Sequence, residues 1–253
     1  MTWEVGAGVA DQELVERLKQ GAQAWNEWRE ANPAKIIDLS KAPLSGLDLS
    51  GVDLTHARLR GADLSGANLT GASLRMAQLA GADLRGANLT RAVLVRARGR
   101  DADLEGADLT GVDFRAASMI HANLSEATLS EASLDGSDFS VAFFTRANLS
   151  RADLSHANLR FAKLRFADLR EADLAECDLE GANLYQADLT GADLNHAVIA
   201  DTDMEGARVE GAIMPPPVLR VRRPHRPTKA PYMGCALPLV LGVGLLALLI
   251  LFL

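Results

Sequence analysis

The most regular feature of this chain is a hydrophobic residue at every fifth position from 39 to 214. Of these 36 positions, 27 are leucine and eight are Phe, Met, Ile or Val, so that only Gly99 lacks an apolar side chain. A small residue stands two positions earlier, and 29 of those 36 are alanine, as in Ala62-Asp63-Leu64. The remaining positions are mostly polar or glycine, which predicts a repeat scaffold.

A period of five fits neither a helix nor a continuous strand, so the chain must turn once per repeat. The alanine and the leucine are two residues apart and point the same way, as in a short strand. Three residues separate each leucine from the next alanine, and that odd step requires a corner. Glycine often occupies the last corner position, where a positive φ costs it little; examples are Gly61, Gly66, Gly71, Gly81, Gly86, Gly181 and Gly191. The sequence predicts a polygonal coil with the leucines inside.

The residues from about Leu39 to Met214 resemble the pentapeptide-repeat family, whose motif reads Ala-Asp/Asn-Leu-x-x. The period alone leaves three-sided and four-sided coils open. The resemblance implies an all-β solenoid, a right-handed quadrilateral β-helix with 20 residues per coil. About nine such coils, stacked at the spacing of neighbouring strands, would form a rod roughly 40 Å long.

Residues 11–30 are predicted to form a helix that caps the N-terminal end of the coils, whose unpaired edges would otherwise promote aggregation. Asp11 is its predicted N-cap and Pro33 closes it. One helical stripe carries the apolar residues Leu14, Leu18, Ala22, Trp25 and Trp28. A membrane-surface role for the tryptophans is disfavoured because the polar side of the helix is not basic.

The C-terminal part of the chain has a different composition. Residues 215–233 contain six prolines and no acid, and they are predicted to form a semi-extended spacer. The nineteen residues 235–253 carry no charge, and a helix of that length spans about 28 Å, close to the bilayer core. The predicted organisation is therefore a helical cap (1–36), a β-helix (37–214), a linker (215–233) and a transmembrane helix (234–253).

The five basic residues of the spacer bear on the orientation in the membrane. They precede the apolar segment, which places the N-terminal side in the cytoplasm. They are also candidate contacts for anionic lipid headgroups: Arg220, Arg222, Arg223, Arg226 and Lys229. Residues 1–10 lack the basic start and apolar core of a signal peptide. The sequence thus predicts a single-pass, tail-anchored protein of a bacterial inner membrane, with its rod on the cytoplasmic side.

The net charge of −7 divides into −3 for residues 1–38, −9 for residues 39–214 and +5 for the rest. An acidic rod admits mimicry of DNA, as in family members that bind a topoisomerase. Such a mimic needs a continuous negative field, whereas arginine is interleaved throughout this rod. Direct nucleic-acid binding is less favoured still, because the rod is acidic overall.

Exposed apolar residues are the candidate contact site, because the repeat does not require them. Val141 and Phe161, 20 residues apart, are expected to stack at one edge, with Phe143 across the corner and Phe166 nearby. An apolar cluster on a polar rod indicates a partner contact; a local bulge that turns some of these residues inward is the alternative. At Gly99 the sequence leaves open a void, a looped-out coil or a gap filled by Met119.

No motif of catalysis, cofactor binding or metal binding is present, and a rod filled with leucine has no concave site. We therefore predict a non-enzyme without cofactor, a membrane-tethered scaffold that binds an unidentified protein partner. The alternatives are a secreted effector directed to a host membrane and a DNA-mimicking inhibitor or protector of gyrase. A second copy bound at the C-terminal coil end is one expected route to a homo-oligomer.

Overall fold

The computed structural model describes residues 11–216, which form two short helices followed by a stack of coils. Helix α1 spans Gln12–Leu18 and helix α2 spans Ala22–Ala31. No helix within this part of the chain is long and apolar enough to cross a bilayer. The predicted linker from residue 217 onward, its basic residues and the predicted transmembrane helix lie outside the described residues.

The coils contain 20 residues each, because every β-bridge joins a residue to the one 20 positions later. The bridges are parallel and run without a break in register from Asp38↔Arg58 to Asp193↔Ile213. Each coil has four single-residue bridges, one in the middle of each five-residue repeat, so the coil has four faces. Backbone hydrogen bonds connect neighbouring coils, as from Leu44 N to Asp63 O at 2.7 Å and from Asp63 N to Ala42 O at 3.0 Å.

The corners between faces are β-turns that share one backbone conformation. In a typical corner the N–H of Ala57 donates to Leu54 O at 3.0 Å. The residue before each alanine has a positive φ, which is the pattern of a type II turn. The seven glycines predicted for this role have it, but so do non-glycine residues at the same position, including His56 (φ 61°), Val141 (φ 60°) and Phe161 (φ 59°). The glycine prediction was therefore right but too narrow.

The Asp or Asn that precedes each leucine stabilises the turn that follows. Its side-chain Oδ1 accepts a hydrogen bond from the N–H two residues later, as from Ser50 to Asp48 (3.1 Å) and from Ser150 to Asn148 (3.0 Å). This is the local hydrogen bonding for which Asp and Asn are favoured in turns. Most of the acidic residues of the rod are explained by this structural role.

The inward leucines and alanines form one continuous core, and most are completely shielded from solvent. Each buried leucine contributes roughly 1.5–3 kcal/mol through the hydrophobic effect. Phe114, Phe139 and Phe144 replace leucine in the middle of the rod and contact one another, with ring centroids 5.6 Å and 5.3 Å apart. Cys177 replaces an inward alanine and is buried, as predicted.

Gly99 keeps its place in the coil, which excludes the looped-out alternative. Its N–H donates to Ser118 O at 2.8 Å, and Arg98 next to it forms bridges in both directions. A Cβ atom on Gly99 would lie 2.6 Å from Sδ of Met119, because the methionine side chain already occupies that space. The third alternative from the sequence, a gap filled by Met119, is therefore confirmed.

The N-terminal cap consists of two helices, so the prediction of a single helix over residues 11–30 was wrong. Gly21 has a φ of 97°, which residues other than glycine rarely adopt, and it lies between the two helices as the N-cap of the second. The other cap signals are confirmed. Asp11 accepts from Glu13 N at 3.1 Å, and Trp25 is completely buried. Helix α2 ends at Ala31, two residues before Pro33.

Helix α2 satisfies the open edge of the first coil through its polar side chains. Trp25 Nε1 donates to Asp53 O at 2.8 Å, and Asn26 Oδ1 accepts from Asp53 N at 2.8 Å. Asn26 Nδ2 also donates to Gly51 O at 2.9 Å. At the other end the described residues leave apolar side chains exposed, with Ile213 at 56% and Val209 at 41%.

Candidate interaction surface

The 20-residue register assigns every outward residue to a face or to a corner. We number the faces by their central residues: face 1 contains Pro43 and every twentieth residue after it, and faces 2, 3 and 4 start likewise from Asp48, Asp53 and Asp38. Faces 1 and 3 are opposite each other, as are faces 2 and 4. The corner between faces 4 and 1 is the 4/1 corner, and the others are named in the same way.

The four predicted contact residues remain outside the coil, so the bulge alternative is excluded. Phe143 forms bridges to Asn123 and Lys163 in the centre of face 1. Val141 and Phe161 occupy the 4/1 corner in successive coils, and Phe166 occupies the 1/2 corner. Their exposed fractions are 39% for Val141, 36% for Phe143, 47% for Phe161 and 39% for Phe166.

Tyr185 extends this cluster, and we call the five residues Val141, Phe143, Phe161, Phe166 and Tyr185 the aromatic patch. The rings of Phe166 and Tyr185 meet edge to face with centroids 5.8 Å apart. The ring of Phe161 lies over Gly181, where a Cβ atom would come within 2.5 Å of it. Phe143 contacts the ring of His121 at 5.6 Å. The patch therefore covers face 1 from one corner to the other.

Arginine side chains lie over the rings of the patch. Cζ of Arg165 is 5.5 Å from the ring centroid of Phe166 and 5.2 Å from that of Tyr185, and Arg160 is 5.5 Å from Phe161. Such cation–π contacts contribute about 0.5–1 kcal/mol each at exposed sites. They also hold the cations next to apolar surface, so the patch presents positive charge and apolar area side by side.

The electrostatic surroundings change along face 1. The band of residues 140–146 and 160–166 carries four cations, one of them Lys163, and no acid. The equivalent stretch of face 1 at residues 100–106 carries three acids and one arginine. The stretch at residues 200–206 carries three acids and no cation. The aromatic patch is thus a positively charged band between two acidic bands. A partner with apolar side chains and carboxylates would complement it.

A shallow groove of about 480 Å³ borders the patch on its acidic side. Asp101, Asp103, His121 and Phe143 contribute to its walls, and Nδ1 of His121 lies 2.6 Å from Oδ1 of Asp101. The groove is open to solvent and polar along one wall. It suits a protein side chain or a short peptide segment better than an enclosed small molecule.

Three residues of the patch lie at corners, where the backbone of every coil has a positive φ. Val141, Phe161 and Phe166 have φ values near 60°, where a residue other than glycine costs roughly 1–2 kcal/mol. A β-branched residue such as valine is least suited to this conformation. The same corner positions hold glycine in other coils, as at Gly181. The cost is not confined to the patch, because 18 other residues that are not glycine have the same positive φ at corners of the coil.

Sequence reasoning located four residues of the patch but missed Tyr185 and the arginines around it. The 20-residue register would have revealed Tyr185, because it follows Arg165 by 20 residues at the 1/2 corner. Cys177 is unsuited to chemistry, since burial raises the pKa of its thiol to about 12. Within residues 11–216 no group of three His, Cys, Asp or Glu side chains is arranged to hold a metal ion.

Comparison with known proteins agrees with this architecture. The family model "Pentapeptide repeats" matches residues 37–75, 77–115 and 177–214 in eight copies, and the model "Pentapeptide repeat region" matches residues 107–184. No match was found among the curated proteins. The fold and the repeats define the class of this chain, a repeat β-helix that displays side chains on flat faces.

Among solved structures, the chain is similar to HetL, a pentapeptide repeat protein involved in heterocyst differentiation regulation from the cyanobacterium Nostoc sp. The identity is 33% over 74% of this chain and 95% of HetL, with a TM-score of 0.53. The chain belongs to the pentapeptide repeat family. Members of this family form right-handed quadrilateral β-helices and are generally structural or interaction proteins without enzymatic activity.

Two further structures are more distant. Rfr23, a pentapeptide repeat protein of the cyanobacterium Cyanothece, is 26% identical over 44% of this chain and 90% of its own, with a TM-score of 0.36. Full-length QnrB1, a plasmid-mediated fluoroquinolone resistance protein, is 17% identical over 70% of this chain and 88% of its own, with a TM-score of 0.45. Both scores are too low to support an argument about function.

Proposed function

We propose that this chain is a non-enzymatic scaffold that binds a protein partner through the aromatic patch and is tethered to a membrane by residues 234–253. The observation that supports partner binding is the exposed, cation-flanked aromatic surface on face 1. The partner's contact surface carries apolar side chains that pack on the rings and carboxylates that pair with Arg165 and Lys163.

The tether rests on the sequence of the C-terminal residues. A run of nineteen uncharged residues follows a spacer with five cations and no acid. The spacer cations Arg220, Arg222, Arg223, Arg226 and Lys229 bind anionic headgroups on the cytoplasmic side, at about 1 kcal/mol for each residue near the surface. Membrane fractionation of the full chain and of a chain without residues 234–253 tests this part: the first sediments with membranes and the second does not.

DNA mimicry is disfavoured by the arrangement of charge. A mimic of the duplex presents a continuous negative field, and the positively charged band interrupts that field on face 1. Most aspartates of the rod are also explained by turn formation, as at Asp48. A supercoiling assay with gyrase and the full chain would reveal protection if mimicry were the function.

The scaffold proposal is tested with variants that the fold accepts. Phe143→Asp places an aspartate at the centre of face 1, where other coils already have one, such as Asp103. Phe166→Gly relieves a strained corner. The double variant should keep its fold and lose the partner in affinity capture from detergent extracts.

Val93→Asp on face 3 is the matched control, since it places the same new charge at the equivalent position of the opposite face. It should capture the partner as the parent does. Equal capture by the parent and the double variant would contradict the assignment of the patch.

A further inference from the structure

Face 4 is divided into a basic half and an acidic half. In the coils that contain Asp38 to Ser118, face 4 and its two corners (residues 35–41 and each equivalent stretch to 115–121) carry nine cations and two acids. In the coils that contain Asp138 to Val198, the equivalent stretches carry six acids and one arginine. Opposite charges thus lie at the two ends of one flat surface.

Several cations of the basic half lack an acidic partner within 4 Å among the described residues. They are Arg60, Arg75, Arg96, Arg98 and Arg100; Arg58, by comparison, lies 3.4 Å from Asp38. In the other half a single arginine, Arg160, pairs with Asp178 at 3.2 Å and also with Glu180, and Nδ1 of His156 lies 3.5 Å from Glu176. Each half therefore carries charge that the other residues in the range 11–216 do not neutralise.

We propose that two copies of this chain pair through face 4 with their rods antiparallel, so that the basic half of each copy covers the acidic half of the other. A two-fold axis across the face, perpendicular to the rod, generates this arrangement and places each column opposite the same column of the second copy. A parallel pairing would instead bring basic half onto basic half. The interface is separate from the aromatic patch on face 1 and meets it only at the 4/1 corner.

One register pairs both arginines of the central column with acids. When the axis passes through Ser118, Arg98 faces Asp138 and Arg58 faces Asp178 of the second copy, and Gln78 faces Asn158. A shift by one coil places Arg98 opposite Asn158 or Ser118 instead. The charge pattern therefore specifies the register as well as the direction.

The corner columns agree with the same register. At the 4/1 corner Arg60 faces Glu180 and Lys41 faces Asp201 of the second copy, and at the 3/4 corner His56 faces Glu176.

The residues on the axis tolerate close approach. Ser118 is small, and Ile120 is half-buried and would face Ile120 of the second copy. Arg115 would face its equivalent across the axis, but its guanidinium is held towards face 3 by Asp113, at 2.8 Å. The repulsion between the two arginines is thereby reduced.

A groove of about 480 Å³ on the basic half accommodates side chains of the second copy. His56, Met76, Arg96 and Ala116 contribute to its walls. In the proposed register His156 of the second copy faces Met76 and enters this groove. The polar character of the contact makes the dimer sensitive to salt.

Cysteine cross-linking of the full chain in mild detergent tests the register. Ser118→Cys lies on the two-fold axis, and faces in contact pack about 10 Å apart, within reach of a short bis-maleimide. Thr128→Cys, at the equivalent position of the opposite face 2, is the matched control. Both are made with Cys235→Ala, and the buried Cys177 thiol is unreactive because its pKa is raised to about 12.

We expect a covalent dimer from Ser118→Cys at 50 mM salt, at least tenfold less of it at 500 mM, and none from Thr128→Cys. Equal yields from the two positions, or no dimer from Ser118→Cys, would overturn the proposal. Pairing through the C-terminal coil ends would separate the two Ser118 residues by about 45 Å, and it would therefore give no Ser118 cross-link.

A charge exchange provides the second test. The variant Arg58→Glu/Arg98→Glu and the variant Asp138→Arg/Asp178→Arg should each dimerise at least tenfold more weakly than the parent in sedimentation. An equimolar mixture should restore dimerisation, because all four positions of one variant then face opposite charges in the other. Undiminished self-association of either variant, or failure of the mixture to associate, would contradict the antiparallel pairing.

Discussion

The side chain of Met119 fills the interior space that Gly99 leaves one coil earlier. A Cβ atom on Gly99 would lie 2.6 Å from Sδ and 2.7 Å from Cε of this methionine. The two residues therefore form one packing unit that spans neighbouring coils. The long, flexible methionine suits an irregular gap of this kind.

Gly99→Leu alone should lower the free energy of unfolding by about 1–3 kcal/mol, because the added side chain overpacks the core. Met119→Leu alone should leave part of the gap empty and cost about 1 kcal/mol. The double variant restores leucine at both positions and should be nearly as stable as the parent. Urea unfolding of the four chains measures the coupling, and strict additivity of the two single changes would show that the residues do not share this space.

Val141→Gly should increase stability, since it places glycine at a corner with a φ of 60°. The expected gain is about 0.5–1 kcal/mol. It is the relief of the left-handed backbone strain of valine, reduced by the larger conformational entropy that glycine loses on folding. Gly136→Val is the opposite control: its φ is 62° and no atom lies within 4 Å of the added Cβ, so the backbone cost should dominate and destabilise the chain. Thermal unfolding of both variants checks the signs.

Acid should destabilise the rod through its turn-forming aspartates. Hydrogen bonds from Ser50 lower the pKa of Asp48, and those from Thr190 lower the pKa of Asp188. Because these pKa values are lower in the folded chain, their stabilisation is complete above the ordinary carboxyl range and is lost as the pH falls through the lowered values.

The double variant Asp48→Asn/Asp188→Asn should show a smaller loss of stability between pH 7 and pH 3 than the parent. Asparagine accepts the same hydrogen bond without titrating, as Asn148 does from Ser150. At pH 7 the variant should therefore fold normally. An unchanged pH dependence in chemical unfolding would mean that these turns do not account for the acid sensitivity.

Asn26→Ala should weaken the N-terminal cap by about 1–3 kcal/mol, because it leaves the N–H of Asp53 and the carbonyl of Gly51 without their side-chain partners. Exposed strand edges favour association, so aggregation on heating should also increase. Gln23→Ala, on the same helix but bonded only to Glu27, is the control. Differential scanning fluorimetry with light scattering measures both effects.

The sequence was sufficient to predict the coil because its pattern is both periodic and local. Leucine at every fifth position fixes which side chains are inside. The coil of 20 residues, which places Val141 next to Phe161, was implied by the resemblance to the pentapeptide-repeat family, because the period alone left three-sided and four-sided coils open. The same spacing of 20 residues would also have placed Tyr185 next to Arg165. The assignment of Met119 to the space at Gly99 was less accessible, since it depends on the rotamer of a flexible side chain.

Two features were predicted incompletely for physical reasons. The break at Gly21 was missed because the apolar stripe from Leu14 to Trp28 continues across it. The positive φ of His56 and Val141 was missed because intrinsic preference favours glycine there, whereas the hydrogen bonds between coils impose the same turn on every residue. At the corners, tertiary structure overrides the local preference for glycine.

The central claim, that face 1 binds a protein partner, is tested most directly by site-specific photo-cross-linking in living cells. A benzophenone amino acid at position 143 should give one discrete adduct, and the same group at Val93 on face 3 should give none. Adding Phe166→Gly should reduce the adduct at least tenfold. Adducts of equal yield from positions 143 and 93, or none from position 143, would contradict the account.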